Sequence, residues 1–133
     1  MPIEVSVDEK RGLVEIVFAG ELTNSEFLET IDRYLLEPAA TCPLGLCDLS
    51  DVSVLDVSTD SVHEAVGRVR EHVDSKLEEG KLAIIAPRDL LFGMARMYEI
   101  LRDGSPVEVR VFRDRDEARS WLGLTTHAAR RSE

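Results

Sequence analysis

Leu82-Ala-Ile-Ile-Ala86, an unbroken apolar run closed by Pro87, narrows the choice of fold more than any other stretch of the chain. A strand with one wet face alternates apolar and polar residues. A strand that is apolar throughout needs cover on both faces, which parallel and mixed sheets obtain from flanking helices. Leu44-Gly-Leu-Cys-Asp-Leu-Ser50 is a second, largely apolar run of this kind. The rest of the chain supplies matching pieces. Ile3–Val7 alternates, Asp8–Gly12 reads as a polar turn, and Leu13–Ala19 completes an antiparallel hairpin that Gly20 closes. Val107–Phe112 alternates again after the turn Asp103–Pro106.

Helical patterns fill the gaps. Thr23 and Glu26 have capping-box spacing, and Phe27, Leu28, Ile31, Tyr34 and Leu35 follow on one face until Pro38. Val52–Val57 reads as a connection of strand-like character. Ser61 and Glu64 repeat the capping spacing ahead of the stripe Val62, Ala65, Val66, Val69, Val73 and Leu77, with Gly80 as the stop. Pro87 and Asp89 open a third helix through about Leu101. Asp114 and Glu117 open a last short one containing Ala118, Trp121 and Leu122. Strands alternating with helices imply right-handed crossovers and an α/β fold: a mixed, mainly parallel five-stranded sheet with about four helices. One domain is expected over residues 1–123, with a mobile tail over 124–133.

With 133 residues, the chain is long enough to bury a core without staples. A formal net charge of −10 argues against nucleic acid as the main partner. Met1-Pro2-Ile3-Glu4 shows no basic region leading into an apolar run, and no apolar stretch has the length of a membrane span. The expected compartment is the cytoplasm.

Catalytic signatures are missing. The sequence has no Gly-x-Ser-x-Gly, no phosphate-binding glycine loop and no dinucleotide fingerprint. Cys42 and Cys47 read as two reduced thiols, and His63 and His72 fall on opposite sides of one helix, so no metal or other cofactor is expected. The acidic residues Glu78, Glu79, Asp114, Asp116 and Glu117 sit at helix ends, where they suit solubility and the helix dipole. The chain is therefore expected not to be an enzyme.

Two segments stand out. The first is Asp48-Leu-Ser-Asp-Val-Ser-Val-Leu-Asp-Val-Ser58, which resembles the strand end and helix start of the STAS domain, the fold of SpoIIAA-like anti-sigma-factor antagonists. The resemblance sets Asp56 on that family's aspartate. It sets Ser58 on the serine those antagonists present to a partner kinase, which makes Ser58 a candidate phosphate acceptor. Val57, Thr59 and Asp60 depart from the family's serine, glycine and apolar residue. Asp56 and Asp60 would repel a phosphate on Ser58, and the plainer role of Ser58, Thr59 or Ser61 is as an N-cap. Leu91–Leu101, Pro106–Asp114 and Ala118–Gly123 resemble small stand-alone bacterial STAS-like proteins. Such a resemblance implies a regulatory or interaction module.

The second segment is the third helix. Leu90, Leu91, Phe92, Met94, Ala95, Met97, Tyr98, Ile100 and Leu101 nearly encircle it, so it needs cover on all sides. A second copy of the chain in a homodimer is one cover, neighbouring parts of the same chain are another, and a ligand is a third. The homodimer is the preferred reading; Leu91, Phe92, Gly93, Met94, Arg96, Met97 and Tyr98 would form its interface or, with a ligand, the pocket, where Arg96 and Tyr98 would be polar tips for a lipid or amphipathic anion.

Overall fold

The computed structural model describes residues 3–35, 42–72, 74 and 79–124. Five strands form one sheet: β1 (Ile3–Asp8), β2 (Leu13–Thr23), β3 (Leu44–Asp56), β4 (Gly80–Ile85) and β5 (Val107–Phe112). They lie in chain order across the sheet. β1 pairs antiparallel with β2, and every later pair is parallel. Four helices accompany them: α1 (Asn24–Thr30), α2 (Thr59–His72), α3 (Asp89–Leu101) and α4 (Arg115–Trp121). The expected α/β fold with a mixed sheet is the one observed.

The apolar run Leu82–Ala86 is covered on both faces. Ile84 and Ala86 pack toward α1, α2 and α3, together with Val14, Ile16 and Phe18 of β2. Ala83 and Ile85 pack the other way, against Ala118 and Leu122 of the α4 segment. Leu46, at the centre of that second layer, is fully buried, and its truncation to alanine would cost about 2–5 kcal/mol. Leu124, assigned above to the tail, is buried in this layer, and its N–H donates to the Arg119 carbonyl at 2.9 Å. The expected tail beyond it, together with Pro38, Val73, Leu77 and His127, lies outside the described residues.

β2 and β3 run longer than their sequence patterns indicate. Gly20 does not close β2 but lies within it, at φ +75°. Val52–Asp56 is not a connection but the end of β3. The register explains both. Val17 and Ala19 pair with Asp48 and Asp51, and Gly20 and Glu21 pair with Val52 and Val54, so β3 carries an extra residue at each place. Thirteen residues of β3 thus lie against eleven of β2. Each bulge resets which residues face inward, which hides the strand from a two-residue period.

Local capping mostly follows the sequence. The Thr23 hydroxyl accepts the Glu26 N–H at 3.2 Å, and the Glu26 carboxylate accepts the Thr23 N–H at 3.4 Å. α1 then passes into a π-helical turn, Ile31–Leu35, instead of continuing as one helix. α4 is capped by Asp114, which accepts the Glu117 N–H at 3.2 Å. α2 departs from expectation. Ser58, not Ser61, accepts the N–H at its start, and Glu64 pairs with Arg68 instead of reaching back to the cap. Gly80 is also not a helix stop. It begins β4, where a Cβ would stand 2.7 Å from the Pro43 carbonyl oxygen.

Candidate functional site

α3 does not need an outside partner on every side. Leu91 and Ala95 are buried against the sheet, and Phe92, Met94, Met97, Tyr98 and Leu101 are half-buried against the same core. The outer face carries Leu90 and Ile100, 68% and 62% exposed, with Gly93 and Arg96 also exposed. Burial by the chain itself therefore accounts for most of the helix.

Beneath α3 lies an apolar cavity of about 120 Å³. Its floor is the sheet: Val14, Ile16 and Phe18 of β2, Gly45, Cys47 and Leu49 of β3, and Leu82 and Ile84 of β4. Phe27 and Ile31 close one side, and Val57 and Val62 close another at the start of α2. Met94, Ala95 and Tyr98 form the α3 wall. Gly45 in the floor and Ala95 in the wall are the lining residues with the least side-chain bulk. A Cβ on Gly45 would meet Leu82 Cδ1 at 2.9 Å, so a larger residue there would have to displace the end of the Leu82 side chain.

Among the described residues that line it, Cys47 and Tyr98 are the ones with a titratable side chain. Burial, and then the Asp48 charge, push the Cys47 thiol up to about 12. Burial also pushes the Tyr98 phenol up to about 12, against the opposing pull of Arg102. Both are neutral at pH 7. A protonated thiol is a poor nucleophile, and among the described residues no carboxylate or histidine lines the cavity. The surface of the cavity is almost wholly apolar.

Behind Tyr98 lies a buried ion pair. Arg102, the C-cap of α3, sends Nη1 and Nη2 to the two Asp74 carboxylate oxygens at 2.9 and 2.7 Å. Its side chain is 1% exposed. The pair links the end of α3 to the residues following α2.

The β3–α2 turn is a separate surface. Asp56, Ser58, Thr59 and Asp60 are all exposed. The Ser58 N–H donates to Asn24 Oδ1 at 2.8 Å, and its hydroxyl accepts the Ser61 N–H and donates to the Ser61 hydroxyl, each at 3.2 Å. Ser58 is thus the working N-cap of α2.

No protein-family model matches the sequence, and no curated protein matches it. Solved structures do. An uncharacterised DUF3478-family protein with a SpoIIAA-like fold, from Shewanella loihica PV-4, superposes with a TM-score of 0.56 at 20% identity, over 90% of this chain and 91% of that one. The anti-sigma factor antagonist SpoIIAA in its unphosphorylated form gives 0.53 at 16% identity, over 91% and 97%. The chain has the SpoIIAA-like fold.

Within this SpoIIAA-like frame the residues singled out on sequence scatter. Met94 and Tyr98 line the cavity. Leu91 packs into the core, and Phe92 lies under the Arg113 guanidinium, 4.2 Å from the ring centroid. Met97 is half-buried against the core, and Gly93 faces outward. Arg96 does not tip into the pocket: it is exposed and pairs with Glu99 at 3.1 Å. The sequence patterns missed the β2 and β3 floor and the Asp74–Arg102 pair. Gly45, a lone glycine in an apolar strand, was the one available signal of the floor. Among the described residues no group of three or more His, Cys, Asp or Glu is placed to hold a metal.

Proposed function

We propose that this chain is a non-enzymatic, cytoplasmic STAS-like regulatory module that binds a small apolar molecule between its sheet and α3. The cavity carries this reading: among the described residues it is lined by apolar side chains together with Cys47 and Tyr98, which stay uncharged at neutral pH. Gently purified protein analysed by native mass spectrometry should retain a small ligand, or acquire one from a panel of apolar compounds. Ala95→Leu, which fills the α3 wall, should abolish uptake while leaving the circular dichroism spectrum intact. A clean apo mass, with no uptake from the panel, would sink the reading.

A second reading concerns a protein partner at the exposed turn Asp56–Asp60. It is supported by the fold shared with an anti-sigma factor antagonist and by the exposure of Ser58 at the start of α2. Phosphate on Ser58 would sit where helix N–H groups favour negative charge, but between two aspartates. Mass spectrometry of native protein and a Ser58→Ala pull-down test it. An unmodified serine together with an unchanged set of partners removes it. Self-association through Leu90, Gly93 and Ile100 is the third element of the proposal. Light scattering across a concentration series decides it, and a constant monomer mass excludes the dimer.

A further inference from the structure

We propose that β5 is the contact edge of a two-fold dimer, with β5 of a second copy running antiparallel to it and the two Val109 residues facing each other across the axis. This rests on the reading that the chain self-associates, and it names the sheet edge beside Ile100 as the contact. Three observations lead to it.

The first is an open edge. Among the described residues β5 is the outermost strand and pairs with β4 alone. The Gly80 N–H donates to the Pro106 carbonyl at 3.1 Å, and the Ala86 N–H donates to the Phe112 carbonyl at 2.8 Å. Even-numbered residues of β5 thus turn their main-chain groups toward β4, and Val107, Val109 and Val111 turn theirs outward. Val107 is already served: the Ser105 hydroxyl donates to its carbonyl at 2.6 Å and accepts its N–H at 3.1 Å. Among the described residues nothing bonds the outward groups of Val109 and Val111. A cleft of about 580 Å³ runs beside them, lined by Val107–Arg110 and by Glu99, Ile100 and Arg102–Ser105. An uncovered edge of this kind is a template for another strand.

The second is the charge pattern. Glu108 and Arg110 have side chains more than half exposed, and they meet each other only loosely, at 3.7 Å. A closed pair of identical edges is two-fold, and hence antiparallel. Centring it on Val109 sets Glu108 opposite the partner's Arg110 on both sides of the axis. Centring it on Arg110 sets two guanidiniums against each other. Centring it on Val111 sets Glu108 against the partner's Asp114. Opposite charges directly across a strand pair stabilise it and like charges destabilise it, which selects the first register. That register also uses the free groups. Val109 exchanges both bonds with the partner's Val109, and the partner's Val111 N–H reaches the second lone pair of the Val107 carbonyl. The complementarity is of this strand with itself, so the occupant is a second copy.

The third is Ile100, 62% exposed and lining the same cleft. It belongs to the α3 layer. Glu108 and Arg110 lie on the α4 side of the sheet, where the Arg110 guanidinium stands 5.3 Å from the Trp121 ring centroid. A two-fold axis normal to the sheet keeps both copies of α3 on one face. The two Ile100 side chains then close the joint from that face and the charge pairs close it from the other.

The test is sedimentation velocity on the full chain across a concentration series. The unaltered protein should dimerise reversibly. Glu108→Arg and Arg110→Glu should each weaken the dimer by roughly tenfold or more, because each makes both cross-strand pairs repulsive. The double variant Glu108→Arg with Arg110→Glu should dimerise like the unaltered protein. An equimolar mixture of the two single variants should form a heterodimer, seen by native mass spectrometry with one of them isotope-labelled. Recovery in the double variant and in the mixture shows that the single variants fold. Dimerisation of either single variant as tight as that of the unaltered protein, or no recovery in the double variant and the mixture, would overturn the β5 contact while leaving self-association in place. A constant monomer mass for the unaltered protein would overturn the self-association reading and this inference with it.

Discussion

Asp74→Ala will cost about 3–5 kcal/mol of folding stability, although it removes only a short side chain near the surface. The magnitude follows from what is left behind. Arg102 keeps its charge at any accessible pH, and its side chain is 1% exposed. Asp74 satisfies two of its nitrogens at 2.7 and 2.9 Å, and the Nε proton has no partner. Removing the carboxylate therefore strands a guanidinium in a site with little water, the circumstance in which breaking a buried pair costs about 3–5 kcal/mol. A domain of this size has a total stability of roughly 5–15 kcal/mol, so the variant approaches the threshold of folding. Urea denaturation followed by the fluorescence of Trp121 and by far-ultraviolet circular dichroism measures it. With an m-value of about 2 kcal/mol/M, the midpoint should fall by about 1.5–2.5 M. The paired replacement Asp74→Leu with Arg102→Met, which removes both charges, should lose less than either single change. A loss under about 1 kcal/mol for Asp74→Ala, or a double variant whose loss equals the sum of the singles, would refute the claim that charge burial holds this joint.

Alkaline stability should depend on Cys47. Its thiol and the Tyr98 phenol titrate near 12 in the folded chain, against ordinary values of 9.0 and 10.0. Between those limits the unfolded chain has released protons that the folded chain keeps, so stability falls as pH rises from 9 toward 12. The Cys47 share is on the order of 2 kcal/mol by pH 10.5, and Cys47→Ala should flatten that part of the curve; parallel curves for the two proteins would show that the thiol is not held protonated. Ser58→Ala should cost about 1 kcal/mol through the lost N-cap of α2, measured by urea midpoint, and no loss would mean that another residue caps the helix. Gly80→Ala should destabilise by about 1–3 kcal/mol, because the new Cβ meets the Pro43 carbonyl and both atoms belong to the main chain; a neutral result in thermal unfolding would show that this strand start is free to shift.

Features that depend on one segment alone were legible in the sequence. Leu82–Ala86 had to be covered on both faces whatever surrounded it, and it is. Thr23 and Glu26 close their capping box with no help from elsewhere. Ser61 and Glu64 carry the same local signature and do not use it. Ser58 takes the cap, and Arg68, one helical turn along, draws Glu64 outward together with Asp32. Spacing alone does not separate these two outcomes, because the competitor lies outside the motif. The bulges in β3 escaped for a similar reason: they exist only relative to β2.

The cavity illustrates the same limit from the opposite direction, because it is defined by what several separate elements fail to fill. Still, part of it was present in the sequence. Leu91, Met94, Ala95 and Tyr98 fall at i, i+3, i+4 and i+7, the inner stripe of an amphipathic helix, and three of the four line the cavity. Counting apolar residues around the whole circumference of α3 obscured that stripe. Val57 makes the same point at the other end of the cavity. Where the STAS resemblance calls for serine, Val57 is buried and forms part of the cavity wall beside Val62. A hydroxyl there would need a partner that the apolar lining does not offer. Its neighbour Ser58 faces solvent. The departure from the family pattern therefore follows from the inner wall of this chain, and it leaves the outward-facing serine where a partner can reach it. Consecutive residues of one turn thus serve two surfaces, one lining the apolar cavity and the other capping α2 at the protein's exterior.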